Sequence, residues 1–500
     1  MLPISGIAKL PVELSRTICE AADRRDLYSI ALSGWQLNAV VTPILYSTID
    51  LQVPHAIYAC VRTLASVPAR STKSRDLAGF VETLSLRDPD DWAGMSVFND
   101  SHRFVLGRRL ADAIPRMRRL RSITCRIGFP HALQIFAMLA SGALPGVNAI
   151  DIRFAGQSAT TKDAEVAGAS VAVGVTGLKT VKLDWTCDPP ETYQMLMRSL
   201  VVANYKTLCS LAIRHGDSAE ILKAVWRSIP SFPALQELDV SPDLLTDPAS
   251  PDTSSVLRLS IPEDYCWYEI ELPSTAVPNL QDITCFPRHL RCFLPDDAEH
   301  RTPISAVTFN HVRYERTRSG GYYAMEDDGD VYDWWDIWST LRPIYFSGCP
   351  LLRLGFAVRE LRTYGLSTLN PLIKDLEYLL IVAQKAEEEP AERRWDEAEI
   401  LALAEVFSQM PRLHTFLLSD GLLKALPGGG PFDFAHDEGL QRRALATYDQ
   451  HSSSLRRVAF TTEFEWEKRE DGWHPWGHVV AKRELVSDGE DEDEDEDSGP

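Results

Sequence analysis

No CxxC pair occurs among the nine cysteines of this 500-residue chain, and long apolar runs are missing. The longest apolar stretches, Leu376 to Ala383 among them, fall far short of the ~20 residues a membrane helix needs. The opening MLPISGIAKLP has no basic region leading into an apolar one, so no secretory signal and no membrane association are expected. An odd number of thiols without a spacing framework predicts reduced cysteines and an intracellular location, cytoplasmic and/or nuclear. Cations are scarce as well: 51 Lys and Arg face 71 Asp and Glu, a net charge of −20. Asp488 and the run Glu490 to Asp497 supply nine of those charges, which leaves −11 for the rest. So acidic a body is not expected to bind nucleic acid by neutralising phosphates. The tail has nothing to bury and is expected to be disordered, either as a solubilising end or as a regulatory or partner-binding segment.

Signatures of catalysis are equally lacking. There is no GxSxG elbow, Walker phosphate loop, HExxH pair or EF-hand spacing. Gly428, Gly429 and Gly430 lie between prolines with no following Lys-Ser/Thr, which reads as a turn. His474 and His478 are four apart, but Pro475 and Gly477 disfavour a helix that would align them as ligands. Cys285 and Cys292 match no zinc module, and Asp327 to Asp333 has no glycine at the sixth loop position followed by a closing glutamate, as a calcium loop requires. The expectation is a protein that is not an enzyme, with no catalytic residue, metal or cofactor.

What is present is an ordinary globular composition, 45% hydrophobic and 24% charged, enough for a large core. Near the start, Pro11 can open a helix, because its missing N–H would be unpaired there anyway, and Glu13 suits the positive end of the dipole. Leu10, Leu14, Ile18 and Ala21 form one helical stripe. A polar break at Asp23 to Asp26 precedes a second stripe of Leu27, Ile30, Ala31 and Gly34. A third short helix contains Ala39, Val40, Ile44 and Leu45, and Thr42-Pro43 is expected to interrupt it. Three short helices cannot bury their apolar faces on one another alone. They need a partner, in the rest of this chain or in another protein.

These residues resemble the F-box domain in the form common among fungal F-box proteins. The resemblance is carried by Leu10-Pro11-Val12-Glu13-Leu14, Ile18, Arg25-Asp26-Leu27, Ile30-Ala31-Leu32 and Pro43-Ile44-Leu45-Tyr46, with the exit Thr48-Ile49-Asp50-Leu51. It departs from the usual pattern at Ala22, where a larger apolar residue is common, at Arg24, where proline is, and over Gly34 to Leu37. The resemblance implies a dock for the Skp-type adaptor of a cullin-based ubiquitin ligase. Leu10, Pro11, Leu14, Ile18, Leu27, Ile30 and Leu32 would bury apolar surface against that adaptor or brace the helices that do.

Farther on, one pattern recurs: apolar, two residues, apolar, one residue, apolar. It runs through Val81-Leu84-Leu86, Leu120-Ile123-Cys125, Val147-Ile150-Ile152, Leu178-Val181-Leu183, Leu208-Leu211-Ile213 and Leu235-Leu238-Val240. It continues through Leu280-Ile283-Cys285, Ile304-Val307-Phe309, Leu351-Leu354-Phe356, Leu376-Leu379-Ile381, Leu413-Phe416-Leu418 and Leu455-Val458-Phe460. This resembles the core strand of a leucine-rich repeat. Such matches arise by chance in an apolar chain, but six of these units carry a proline just before the first apolar position: Pro145, Pro233, Pro278, Pro303, Pro350 and Pro411. At a proline frequency near 5%, chance would supply about one. Helix-like stretches, Glu191 to Asn204 and Ala219 to Ile229, fall between units. The alternation predicts stacked parallel strands with helices outside. Near the end, Phe460, Thr462, Phe464 and Trp466 alternate before a turn at Asp471-Gly472, and Trp473 and Trp476 follow, which reads as a terminal hairpin.

Two clusters are candidates for binding a target. Arg103, Arg108, Arg109, Arg116, Arg118, Arg119, Arg121 and Arg126 fall within 24 residues. They are a solvated or ion-paired exterior, a pocket for an acidic or phosphorylated peptide centred on Arg116, Arg118, Arg119 and Arg121, or a dock for the acidic tail. Trp334, Trp335 and Trp338 are core or, if exposed, a partner anchor. The expected fold is α/β: an F-box-like helical domain over 1–51, a link over 52–76, an irregular leucine-rich-repeat solenoid over 77–486 and an acidic tail over 487–500. The expected function is substrate recognition in an SCF-type ubiquitin ligase, with the Skp-type adaptor and, through it, a cullin as partners. The alternative is a repeat scaffold acting outside ubiquitin transfer.

Overall fold

The structure is a computed structural model. It describes residues 10–22, 24–66, 76–87, 100–126, 132–154, 175–185, 191–214, 218–241, 243–247, 250–261, 276–293, 303–309, 334–358, 363–383, 397–420, 437–460 and 465–476. The acidic tail, Asp327 to Asp333, Gly428 to Gly430, and His478 lie outside these residues. The fold is mixed α/β with mostly parallel strands, in two compact units, Met1–Leu280 and Gln281–Pro500. Among the described residues no helix is long and apolar enough to cross a membrane.

The first unit opens with α1 (Val12–Glu20), α2 (Arg24–Ser33) and α3 (Trp35–Ser47). Pro43 lies inside α3 rather than interrupting it, a correction to the sequence expectation. Leu37 and Val41 are buried along α3, and Val40, Ile44 and Leu45 pack on the core formed by Cys19, Leu27, Ala31 and Val41. That packing outweighs the loss of one helical hydrogen bond. Thr42 Oγ1 also donates to the carbonyl of Asn38 at 2.7 Å.

Helix α3 runs directly into β1 (Thr48–Leu51), which pairs in parallel with β2 (Thr83–Arg87). The exit of the helical module is therefore the first strand of the sheet. Residues 54–65, expected as link, form α4 (Pro54–Ala65), which buries Ile57, Val61 and Leu64. Its three apolar residues at four- and three-residue spacing are the signal that the sequence reading passed over. There follow α5 (Asp100–Ala113), β3 (Ser122–Arg126), α6 (Ala132–Ala140), β4 (Ala149–Phe154), β5 (Thr180–Trp185), α7 (Glu191–Asn204), β6 (Ser210–Arg214), α8 (Ser218–Ser228), β7 (Glu237–Asp239), α9 (Asp243–Thr246) and β8 (Arg258–Ser260). Strand β8 belongs to a further unit, Val256-Leu259-Ile261, which the sequence reading missed. It starts only 21 residues after Leu235 and has no proline in the two residues before Val256.

Each strand lies beside the next in register. One buried row runs Ile49, Leu84, Ile123, Ile150, Val181, Leu211, Leu238, Leu259 across β1 to β8. The recurrent prolines have a physical cause. Ahead of several strands the chain makes a four-residue turn in which the fourth N–H donates to the first carbonyl, as from Val147 to Leu144, Leu235 to Phe232 and Leu280 to Val277. Pro145, Pro233 and Pro278 sit second in those turns, where their fixed φ is already correct.

Buried Asn204 ties the end of α7 to the neighbouring turn. Its Oδ1 accepts from the Leu178 N–H at 2.9 Å, and its Nδ2 donates to the carbonyls of Val175 and Leu200 at 2.9 and 2.8 Å. On α4, burial pushes the Cys60 thiol up to about 11, against the opposing pull of Arg24. The folded state thus favours the protonated thiol, and this contribution to stability is complete below the unfolded value of 9.0. It is lost as pH rises through about 11. A Cys60→Ala variant should therefore show a shallower loss of denaturation midpoint between those two pH values than the parent.

The second unit contains β9 (Asp282–Cys285), α10 (Pro287–Phe293), β10 (Ala306–Phe309), α11 (Trp334–Ser347), β11 (Arg353–Val358), α12 (Thr363–Thr368), α13 (Asn370–Ile373), β12 (Tyr378–Ala383), α14 (Glu397–Phe407), β13 (Thr415–Asp420), α15 (Glu438–His451) and β14 (Arg457–Ala459). These strands are parallel, and their buried row is Ile283, Val307, Leu354, Leu379, Phe416, Val458. The hairpin follows as β15 (Glu465–Arg469) and β16 (Gly472–Trp476), both antiparallel. Phe460 directly follows β14 and is buried, while Thr462 and Phe464 lie outside the described residues. Gly472 turns the hairpin at φ +123°, a conformation that L side chains rarely adopt. Trp466 pairs opposite Val458 and is fully buried. Its Nε1 donates to Gln441 Oε1 at 2.6 Å, so the hairpin covers the last strand's edge with its polar atom satisfied.

Candidate protein-docking surface

Helix α1 buries the wrong stripe for a self-sufficient bundle. Ser15 and Cys19 point into the core, with Ala22 packed beside them. The more apolar stripe faces outward: Leu10 is 37% exposed, Leu14 53% and Ile18 41%. Pro11 and Ala21 are exposed with it. On α2, Leu27 and Ala31 are buried and Ile30 packs on the core, while Leu32 and Tyr28 are exposed. The seven residues singled out from the sequence thus divide. Leu10, Pro11, Leu14, Ile18 and Leu32 are available to a partner; Leu27 and Ile30 brace the helices.

Val12 and Trp35 join the open face, and Trp35 is 79% exposed. Sequence reasoning missed both. Gly34 enters α3 in extended backbone, which leaves Trp35 as the first residue of that helix. A groove of about 460 Å³ lies between α1 and α3, lined by Leu10, Val12, Trp35, Leu37, Val40 and Pro43 among others. Arg24 donates to the carbonyl of Leu45 at 3.4 Å, so it tethers α2 to the end of α3. Apolar side chains contiguous over two helix ends and a groove are the usual mark of a protein-binding face.

The arginine cluster does not form one pocket. Arg109 stacks over the Tyr58 ring at 5.0 Å. Arg116 is held within the fold: its Nη1 donates to the carbonyls of Leu64, Ala65 and Ser66 at 3.1, 3.3 and 3.1 Å, and it pairs with Asp76. It closes the C-terminal end of α4 and is not free for a ligand, which corrects its place in the sequence-derived set. Arg118 and Arg119 occupy the exposed tip of the turn from Met117 to Leu120, and Arg121 is exposed next to it. Arg126 lies at the other end of β3, some 16 Å along the strand, and pairs with Asp151. Arg116→Met removes the clamp on three helix-end carbonyls and should cost about 1–3 kcal/mol. Urea denaturation checks this, and an unchanged midpoint would contradict the clamp.

Trp334, Trp335 and Trp338 all lie on α11. That helix buries Ile337, Leu341 and Ile344, and Trp338 is half-buried with its ring 6.3 Å from that of Tyr345. Among the described side chains of this helix the exposed aromatics are Tyr345 and Phe346, with Arg342 over the Phe346 ring at 5.2 Å; the side chains of Trp334 and Trp335 are not among those described. Neither exposed ring was expected from the sequence.

The sheet face opposite the buried rows differs between the units. In the second unit Leu380, Leu417 and Ala459 occupy it and are buried. In the first it is polar and half-buried, with Arg126–Asp151 at 3.0 Å, Arg153–Asp184 at 3.7 Å and Arg214–Asp239 at 2.7 Å. Burial works to lower the Arg214 pKa and Arg126 adds to that, but Asp239 with Asp184 outweighs both and holds it above its ordinary value. Among the described residues there is no group of three or more His, Cys, Asp or Glu arranged to hold a metal ion.

Comparison of the chain with protein-family models and with curated proteins finds no match to either.

Proposed function

We propose that this chain is a substrate-recognition subunit of an SCF-type ubiquitin ligase. Its N-terminal helices would dock a Skp-type adaptor, and through it a cullin, while the strand-and-helix units, read as degenerate leucine-rich repeats, present a target protein. The observation that carries this reading is the outward stripe Leu10, Leu14, Ile18, with Leu32 and Trp35, on helices whose own core is complete without it. Single exposed apolar residues are ordinary, but a contiguous group of this size beside a groove marks a site for a partner. The F-box resemblance supplies the identity of the cover. Catalysis by such a subunit is proximity alone: it raises the local concentration of target near the charged ubiquitin carrier.

A second reading has one observation in its favour. Helix α3 passes directly into β1, as it would if the three helices simply capped a scaffold acting outside ubiquitin transfer. A cap, however, needs its apolar side turned inward. Titration calorimetry of the purified protein against a Skp-type adaptor decides between them. Binding at or below micromolar concentration supports the ligase reading; no heat at tens of micromolar adaptor leaves the scaffold.

A further inference from the structure

Parallel strands all begin on the same side of their sheet, so the turns leading into β3, β4, β5 and β6 share one rim of the first unit. Their backbone is continuous across that rim. The Arg121 N–H donates to the carbonyl of Glu82 at 2.8 Å, Asn148 to Arg121 at 2.9 Å, Lys179 to Asn148 at 2.7 Å and Cys209 to Lys179 at 2.7 Å. Arg118 and Arg119 stand at the tip of the turn into β3, and Arg121 follows them. Lys179 holds the same position as Arg121 two strands on, and Lys206 stands in the turn into β6. All five cations are exposed.

The surroundings of these five are at odds with the rest of the chain. Residues 117–121, 144–148, 175–179 and 204–209, which make up the four turns, include no Asp or Glu, in a protein of net charge −20. Elsewhere in this unit even well-exposed arginines find a carboxylate, as Arg227 does in Asp247 and Arg258 in Glu237. None of the five rim cations has an ion pair among the described residues; Lys206 lies over the ring of its neighbour Tyr205 at 5.6 Å. One exposed cation attracts an anion weakly. A row of them directs an acidic partner to one place on a molecule that repels it elsewhere.

The cations form a line and do not converge on a point. Strands about 4.8 Å apart set the turns into β3 and β6 about 14 Å from each other. A single phosphate gathers its donors around one centre, whereas a run of carboxylates needs them in series. Alternate residues of an extended segment, about 6.8 Å apart, place three carboxylates over the same 14 Å or so. We propose that this rim binds a run of acidic residues in a partner protein, its carboxylates seated along Arg118, Arg121, Lys179 and Lys206. The proposal rests on the reading of the strand-and-helix units as the part that presents a target, and it names the chemistry of that target.

The test uses the full chain and two fluorescein-labelled eight-residue peptides, one alternating Glu and Ser, the other Gln and Ser. Fluorescence anisotropy should show the glutamate peptide binding, the glutamine peptide not binding, and affinity falling steeply from about 50 to 300 mM salt. Arg121→Gln with Lys179→Gln should weaken binding by at least about tenfold. The thermal midpoint should not move, because both side chains are exposed. Asn148→Lys fills the gap between Arg121 and Lys179 and should tighten binding about threefold. Ala446→Lys, at an exposed position of α15, changes net charge equally and should leave affinity where it was. Equal binding of the two peptides, unchanged affinity in the double variant, or the same gain from Ala446→Lys as from Asn148→Lys would each overturn the assignment. So would an oligothymidylate bound in preference to the glutamate peptide. Adaptor binding is read in parallel on the same preparations. If it fails while the glutamate peptide binds, the ligase reading falls and this rim site stands; the converse result removes the rim site and leaves the ligase reading.

Discussion

Replacing Leu14 and Ile18 together by aspartate should abolish the proposed adaptor binding and leave the thermal midpoint where it was. Both side chains are about half exposed in the free protein, so a carboxylate there meets water and not a core. In the proposed complex the same positions would become covered. Burying each apolar side chain contributes about 1.5–3 kcal/mol, and burying an unpaired carboxylate in its place adds a penalty of its own. The two changes together should weaken binding by at least about a hundredfold, which takes a micromolar complex beyond detection. Leu27→Asp is the instructive contrast. Leu27 belongs to the core of the three helices, so that variant should lose binding and unfold the module together. Adaptor affinity unchanged in the Leu14/Ile18 double variant would remove the docking face from this stripe.

Asn204→Leu should lower the stability of the first unit by about 3–5 kcal/mol, a large part of an ordinary folding free energy. The replacement keeps the branch at Cγ but is larger and apolar, and it can neither donate nor accept. Its effect comes from the groups left behind. The Leu178 N–H and the Val175 carbonyl each lose the side-chain partner they have in Asn204. Each buried group stranded in this way costs about 1–3 kcal/mol. The Leu200 carbonyl loses a second donor. Urea denaturation gives the energy, and hydrogen exchange at the Leu178 amide should accelerate with it. A loss below about 1 kcal/mol would mean that water or a shifted backbone satisfies those groups.

The twelve strand units were legible because each puts three apolar residues at fixed spacing on one side of a short strand. All of those positions are buried, and a core row tolerates little else. The bounds of α7 were legible too, since Glu191 and Asn204 begin and end its apolar periodicity. Strand β8 escaped because its unit follows a short connection, and α4 because a polar stretch after it suggested a link. On α1 the spacing of Leu10, Leu14 and Ile18 identified a helix and an apolar stripe. It could not say whether the stripe faces in or out, because that depends on where α3 packs.

The sequence by itself determined where strands and helices alternate, through periodicity and turn chemistry that act over a few residues. It also determined that the N-terminal helices carry more apolar surface than they can bury on one another. Only the tertiary structure decided which arginines act together. Arg116, Arg118, Arg119 and Arg121 are neighbours in the chain, yet Arg116 closes the end of α4 while the others stand at the rim of the sheet. Arg87, Arg126, Arg153 and Arg214 are separated by intervals of 39, 27 and 61 residues, and parallel register brings them onto one row. Strand pairing depends on contacts between residues far apart in the chain, so a charge pattern that exists only across strands has no local signal to read.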